Sequence, residues 1–232
     1  MARFDLASTR NTGTGPYRRI WSDSPMSAAQ ATVYLPSLAK GDIVSANGDT
    51  AFIYLGGWGS AGQALDAGLM HNPGTDTWSL FIKYQGLAEN LGGTPQVRLK
   101  PDQTVTVTFS IPDDGSVKVE TSGQAVQVVD AANQTDLGVQ SLAVQQNGLS
   151  GFPSDGTDVI LKRMTSIAQN HENFQSGSKI SGVAWTNVQC GTDPGSLSPW
   201  TITDPAGTLI YDKTVVSVNY VSDHEETVSI TL

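Results

Sequence analysis

Hydrophobic and polar residues alternate with a period of two along much of this chain. The clearest case lies between Gln96 and Ile111, where Val105, Val107 and Phe109 alternate with threonines. Such alternation places successive side chains on opposite faces of a β-strand. No segment shows a sustained period of 3.6 with capping residues, and only the stretch Ser166–Phe174 could hold a helical turn. The pattern predicts an all-β protein with few helices.

The predicted strands follow one another at short intervals. We count about ten to thirteen of them, separated by turn signals such as Asn47-Gly48-Asp49 and Asp113-Asp114-Gly115. Residues 130–157 are rich in Gln, Asn, Ser and Gly, and they predict a long loop with at most one short strand, around Leu142–Val144. Because no βαβ rhythm is present, we expect an antiparallel two-sheet β-sandwich.

The first 25 residues differ in pattern from the rest. Glycines and prolines such as Gly15 and Pro25 interrupt them, and their apolar positions show no period. The chain has 232 residues, and all-β sandwiches of this length are commonly one domain. We therefore predict an N-terminal arm over residues 1–25 and a single β-sandwich domain over residues 26–232.

Charge and composition exclude several partners. The chain carries 13 Lys and Arg against 22 Asp and Glu, and its basic residues are scattered apart from pairs such as Arg18-Arg19. Nucleic acid is therefore not an expected partner, because phosphate binding requires a basic patch. No membrane partner is expected either, since no apolar run approaches the ~18 residues of a span. The low charged fraction, 15%, favours a secreted or cell-surface protein, although the N-terminus lacks a recognisable signal peptide.

Metal, cofactor and disulfide chemistry are not expected. Cys190 is the single cysteine, so it cannot form an intramolecular disulfide, and we interpret it as a small buried hydrophobe. His71, His171 and His224 lie far apart and lack the spacing of a zinc site. We predict neither a metal nor a cofactor.

One acid inside an apolar strand is the main candidate for function. Asp66 lies among Ala64, Leu65, Ala67 and Gly68, in the middle one of three strands predicted between residues 50 and 84. Burying an unpaired carboxylate is costly, so a partner side chain or a ligand has to satisfy it. Asp66 is therefore the first residue to examine for function.

Several segments resemble the glutamic peptidase (eqolisin) family, whose members are two-sheet sandwiches of the concanavalin A-like type. They are ATVYLPS at Ala31–Ser37, AFIYLGGWGSAGQALDAGL at Ala51–Leu69, TDTWSLFIKY at Thr75–Tyr84 and VRLKPDQTVTVTF at Val97–Phe109, with weaker similarity at Leu161–Asn170 and Ile180–Cys190. The resemblance implies a jelly roll with a concave sheet face that carries a catalytic Gln and Glu. The family's Gln falls on Asp66 and its Glu on Gln169, so the resemblance implies that neither identity is kept.

Aromatic residues near these strands are candidates for ligand contact, because flat rings stack on sugar faces. They are Trp58, Trp78, Tyr84 and Trp185, each of which could also belong to the core. Trp58 lies in a Gly-rich segment that predicts a turn, and we expect it to be the most exposed. Together with Asp66 and Gln169, these rings form the predicted ligand-binding set.

Three functions follow from these residues. The one we favour is a non-catalytic extracellular sandwich that binds a polysaccharide or an extended peptide on its concave face. The second is an acid hydrolase that uses Asp66 and Gln169 as a swapped dyad. The third is a structural protein that forms homo-oligomers through the N-terminal arm or through an edge strand such as Thr227–Leu232.

A glycosidase is disfavoured. Such enzymes need two carboxylates that flank the scissile bond, and Asp66 is alone in its predicted strand. A second carboxylate would have to come from another part of the chain, for example from Glu89, Glu120 or Glu172.

Overall fold

The protein is almost entirely β. The computed structural model describes residues 15–46, 48–85, 87–89 (backbone only), 96–167, 174–202 and 207–232. These ranges contain no α-helix, and hence no helix that could cross a membrane. Their strands are β1 Tyr17–Trp21, β2 Ala28–Leu35, β3 Ile43–Val44, β4 Ala51–Trp58, β5 Ala64–Asn72, β6 Thr77–Tyr84, β7 Leu87–Glu89, β8 Gln96–Leu99, β9 Gln103–Ser110, β10 Val117–Val128, β11 Gln134–Gln146, β12 Ile160–Ile167, β13 Lys179–Gly191, β14 Ser198–Pro199, β15 Thr208–Tyr211, β16 Val216–Tyr220 and β17 Glu226–Thr231.

The strands form two antiparallel layers. The first layer has the order β15-β1-β12-β4-β5-β6-β7, and the second has the order β16-β17-β13-β2-β9-β10-β11. Strand β8 pairs with β6 on one side and with β10 on the other, so it joins the two layers along one edge. The predicted antiparallel two-sheet β-sandwich is confirmed.

The core lies between the layers, and it is made by one face of each strand. In the first layer, Ile53 and Leu55 of β4 and Leu65 and Leu69 of β5 belong to it. The second layer contributes the alternating residues of β9 that the sequence indicated, including Phe109. Since the period of a strand is two, the remaining residues of the first layer point away from the core. The first layer therefore presents a second face, opposite the core.

The predicted N-terminal arm contains a strand. Tyr17–Trp21 forms β1, which pairs with β12 on one side and with β15 on the other. The prediction of an arm is wrong for these five residues, because a strand with two neighbours is an internal part of the sheet. The alternation of Tyr17, Arg19 and Trp21 is a strand period that the neighbouring glycines and prolines concealed. Residues 1–14 lie outside the described ranges.

Two other predictions about strands are wrong. Residues 134–146 form the 13-residue strand β11, not a loop. Its side chains are mostly polar because it pairs with β10 alone among the described strands and is exposed along most of its length. Conversely, the C-terminal segment proposed as a free edge is β17, which lies between β13 and β16. Strand addition therefore cannot use β17, whereas β11 has an open side within the described part of the chain.

Candidate functional site

The first layer carries a second cluster of side chains on the face opposite the core. We call it the second face, and we define it by the residues of β1, β12, β4, β5 and β6 that point away from the second layer. They are Tyr17, Arg19 and Trp21; Ile160, Lys162, Met164 and Ser166; Phe52, Tyr54, Gly56 and Trp58; Ala64, Asp66, Gly68, Met70 and Asn72; and Thr77, Ser79, Phe81 and Lys83. This face combines a hydrophobic cluster with a small number of charges.

Asp66 lies on the second face and pairs with Lys162. The Lys162 Nζ atom is 2.6 Å from Asp66 Oδ1, and the side chains are 3% and 23% exposed, respectively. Oδ1 is buried and the contact lacks hydrogen-bond alignment, so the interaction is an ion pair and not a directed hydrogen bond. The Asp66 side chain nevertheless keeps 23% of its surface exposed beside this ion pair.

Aromatic rings surround the cations of the second face. The Lys162 ammonium lies 4.6 Å from the centroid of the Trp58 ring and 5.8 Å from that of Tyr54. The guanidinium of Arg19 lies 5.2 Å from the same Trp58 ring and 5.1 Å from the Tyr17 ring. Contacts of this kind stabilise cations that are removed from water. Trp58 therefore holds two cations in place.

Trp58 lies on the second face with Asp66, but its ring is buried and not exposed as predicted. It is the last residue of β4 and is 8% exposed, so the expectation of an exposed ring in a turn is wrong. The strand continues through Gly56 and Gly57 because their neighbours approach closely. A Cβ on Gly57 would lie 2.4 Å from the Ile160 carbonyl oxygen. These glycines serve close strand packing instead of a turn.

Trp78 and Trp185 lie in the core. Trp78 is 0% exposed and its indole N–H donates to the Pro36 carbonyl at 3.0 Å. The Trp185 indole N–H donates to the Thr165 hydroxyl at 2.8 Å. A ring enclosed between two sheets cannot touch a ligand on the opposite face, so the ligand-binding role predicted for these two tryptophans is wrong.

Tyr84 is also on the core side of β6. It packs partly buried against the core, and its hydroxyl contacts the Ser150 hydroxyl at 2.8 Å. Its ring meets Phe152 edge to face, with 6.2 Å between centroids. These contacts tie the end of β6 to the loop before β12, and they place Tyr84 away from the second face.

Of the remaining sequence candidates, only Glu120 has a described side chain, and it does not lie beside Asp66. Gln169 and Glu172 lie outside the described residues, as does the side chain of Glu89. Glu120 is on β10 of the second layer and forms an ion pair with Lys118 at 2.6 Å. Among the second-face side chains named above, Asp66 is the only carboxylate. Nowhere in the described ranges do three His, Cys, Asp or Glu side chains converge as metal ligands.

Lys162 was not among the residues predicted from the sequence, although a signal was present. Lys162 and Arg163 are adjacent within the apolar strand β12. Adjacent residues in a strand point to opposite faces, so two buried cations in succession require two separate acidic partners. The structure supplies Asp66 to Lys162 on the second face, whereas on the core side the nearest carboxylate oxygen to Arg163 is Glu226 Oε1, 3.6 Å from Nη2.

Comparison with known proteins extends the fold assignment. No family model and no curated protein matches the sequence. Among solved structures, the fold is similar to that of scytalidoglutamic peptidase bound to a peptide-based transition-state analogue, with a TM-score of 0.56 and 12% identity over 94% of this chain and 97% of that one. A second structure of that peptidase, bound to a transition-state analogue inhibitor, gives 0.53 and 12% over 96% and 99%.

A third similar structure is SCP-B, a member of the eqolisin family of peptidases in complex with the tripeptide Ala-Ile-His. The TM-score is 0.50 and the identity 12%, over 94% of this chain and 97% of that one. At this level of identity the similarity establishes the fold alone. This chain has a glutamic-peptidase-like β-sandwich fold.

Proposed function

We propose that this protein binds an extended peptide across the second face without hydrolysing it, and that Asp66 accepts a hydrogen bond from the peptide. The observation that carries the proposal is the Asp66–Lys162 ion pair, which holds a partly exposed carboxylate at a fixed position beside a hydrophobic cluster. A carboxylate fixed in this way accepts N–H or O–H donors, and the partly exposed Ala64 and Met70 on the same face of β5 suit the side chains of a peptide.

A peptide agrees with the second face better than a polysaccharide does. Sugar binding relies on open ring faces, whereas Trp78 and Trp185 are in the core and Trp58 is occupied by two cations. The Tyr211 ring stacks on Tyr17, with 5.2 Å between centroids. The structurally similar proteins were also solved with peptide-derived ligands.

The non-catalytic part of the proposal rests on the position of Lys162. Peptide hydrolysis by a dyad needs a base for the water and a donor that reaches the developing oxyanion. Lys162 is the cation next to Asp66, but it is 3% exposed and directed at the carboxylate, so it offers no accessible donor to a bound peptide. We also propose a secreted or cell-surface location, which the low charged fraction favours.

An acid hydrolase is the second candidate. It is favoured by the similarity to two peptidase structures that contain transition-state analogues. In this alternative, Asp66 would act as the base and Gln169 as the donor, with the roles of amide and carboxylate exchanged relative to the glutamic peptidases.

Titration calorimetry with the tripeptide Ala-Ile-His and with longer hydrophobic peptides tests the binding proposal. We expect saturable binding that Asp66→Asn weakens by about 10- to 100-fold, the effect of losing a hydrogen bond to a charged group. Asp113→Asn, in an exposed turn, is the matched control and should bind normally. A thermal melt of each variant separates lost binding from lost folding. Equal affinities of the folded Asp66→Asn variant and the wild type would refute the role of Asp66.

A digest of denatured casein from pH 3 to 7 separates the two candidate functions. The proposal predicts no cleavage above the background of a mock purification. Cleavage that is abolished in both Asp66→Asn and Gln169→Ala, with both variants folded, would instead establish the swapped dyad.

A further inference from the structure

The core contains a buried charge cluster that joins the two layers. Arg18 of β1 and Arg163 of β12 come from the first layer, and Glu226 of β17 comes from the second. All three side chains are at most 2% exposed. The cluster contains two positive charges and one negative charge, so it carries a net charge of +1 in the protein interior.

Within this cluster, Arg18 makes the hydrogen bonds to the Glu226 carboxylate. Its Nε and Nη2 atoms donate to Glu226 Oε2 at 3.0 and 2.9 Å, and Nε lies 3.3 Å from Oε1. This two-point contact is the strong geometry of an arginine–carboxylate pair. The Arg163 Nη2 atom is 3.6 Å from Oε1, which is beyond hydrogen-bond range. Glu226 therefore neutralises Arg18 and leaves Arg163 without a hydrogen-bonded counterion.

The guanidinium of Arg163 makes no hydrogen bond. Its Nε, Nη1 and Nη2 atoms are all buried without a partner. Its direct neighbours across the sheet are Ile20 and Leu55, and its guanidinium carbon lies 5.3 Å from the centroid of the Trp185 ring. A ring face attracts the cation but cannot accept the in-plane N–H groups. Burial lowers the pKa of Arg163 to about 10, an effect that Glu226 opposes and Arg18 reinforces, so the group stays charged at neutral pH.

We propose that Arg163 binds a small monovalent anion such as chloride between the two layers. Five unsatisfied N–H donors on one buried side chain call for an acceptor, and a water molecule or an ion is the usual explanation of such groups. Water would satisfy the donors but would leave the net charge of +1 unbalanced in the interior, where an uncompensated charge is costly. An anion satisfies both requirements. Small size follows from the position within a packed core.

Thermal melts in a series that replaces sodium gluconate by sodium chloride at constant ionic strength test this proposal. Gluconate is too large for an interior site, and constant ionic strength removes general screening. A ligand that binds the native state raises the melting temperature, so we expect a saturable rise of about 5–10 °C at chloride concentrations near 100 times its Kd. Bromide should act in the same way.

Two variants give the contrast. Arg163→Met removes the charge and the donors, so its melting temperature should not respond to chloride. Arg98→Met is the matched control, because Arg98 is a partly buried arginine bonded to Gln96 and Thr75; it should keep the chloride response. A wild-type protein without a chloride-specific rise, or an equal rise in Arg163→Met, would overturn the proposal.

A crystal grown in bromide supplies a readout that does not depend on the folding of a variant. We expect an anomalous peak in contact with the Arg163 guanidinium in the wild-type protein. Anomalous maps that show no bromide beside Arg163 at saturating bromide would overturn the proposal.

Discussion

Asp66 and Lys162 lie two strands apart, and they reach each other because the residue between them has no side chain. In the register of the first layer, Lys162 pairs with Gly56 and Gly56 pairs with Asp66. Two strand spacings amount to roughly 9.5 Å between backbones, which the long lysine side chain crosses above the glycine. The ion pair at 2.6 Å therefore depends on the backbone of β4 as much as on its own two residues.

Gly56→Ala should destabilise the protein. The φ angle of Gly56 is 150°, a conformation that residues with a Cβ rarely adopt, and the added Cβ would lie 2.3 Å from the Leu65 carbonyl oxygen. Backbone strain and overpacking together should lower the free energy of unfolding by about 2–4 kcal/mol. Denaturant unfolding measures this change. Gly74→Ala is the control, because nothing lies within 4 Å of its Cβ position, and it should change stability by less than about 0.5 kcal/mol.

The two single substitutions of the ion pair should have unequal effects. Asp66→Asn leaves the lysine ammonium buried without a counterion and should cost about 2–4 kcal/mol. Lys162→Met leaves a carboxylate that water still reaches, so about 1–2 kcal/mol is expected. The double variant should be more stable than Asp66→Asn alone, because the buried ammonium is then absent. Unfolding curves of all four proteins form the cycle, and additive effects would show that the contact contributes nothing.

The sequence predicts the class of fold because period-two alternation is a local property. The threonines of β9 point outward and its valines inward as the pattern indicates. The N-terminal strand β1 was not predicted, because it is buried by two strands that are distant in sequence, β12 and β15. A local pattern of residues gives no information about such neighbours. Strand β11 was predicted as a loop, because it lies at the edge of its layer in the described chain. Polar side chains on both of its faces give it the composition of a loop.

The candidate site was predictable only in part, for a related reason. Asp66 was identified from its own segment, since a carboxylate among small apolar residues is locally unusual. Its partner Lys162 is almost one hundred residues away and is defined by register across β4. Alternation correctly placed Trp78 and Tyr84 on the same face of β6, but it cannot tell which of the two faces of a strand meets the second layer. The sequence therefore indicated a residue for the site, and only the sheet pairing identified the face.

Cys190 should be unreactive in the native protein. Burial, reinforced by the negative charge of Asp23, raises the pKa of its thiol to about 11, and the side chain belongs to the hydrophobic core as the sequence indicated. Because the thiolate is the reactive form, a disulfide reagent at pH 8 should modify the native protein at least about 100-fold more slowly than the denatured one. Absorbance of the released thiol reports both rates, and equal rates would contradict the buried position.

Acid should weaken the contact between His71 and Asp76. Through Asp76, this contact connects the turn after β5 to the segment after β2. His71 Nε2 lies 3.0 Å from Asp76 Oδ1, and the same carboxylate accepts hydrogen bonds from the backbone N–H groups of Leu38 and Ala39 and from the Ser37 hydroxyl. Burial lowers the pKa of His71 although Asp76 opposes the shift. The pKa of Asp76 is also lowered, because these hydrogen bonds outweigh the effect of burial.

Both shifts have the same sign for stability. A group whose pKa is lower in the folded state binds fewer protons than in the unfolded state, so its contribution is complete above the unfolded pKa and is lost as the pH falls towards the folded one. The loss should begin near pH 6.5 for His71 and near pH 3.8 for Asp76, the ordinary values of the two groups. The free energy of unfolding should therefore decrease from pH 7 to pH 5, as urea unfolding at each pH would show.

Replacing the histidine isolates its share of this pH dependence. His71→Phe keeps an aromatic ring next to Trp78, which His71 meets edge to face at 5.2 Å, but it removes the proton-binding group. This variant should be less stable than the wild type at pH 7, because Asp76 loses a donor, and its stability should change less between pH 7 and pH 5. His224→Gln, in the turn between β16 and β17, controls for the removal of a histidine. A wild-type slope in His71→Phe would show that other groups cause the loss of stability in acid.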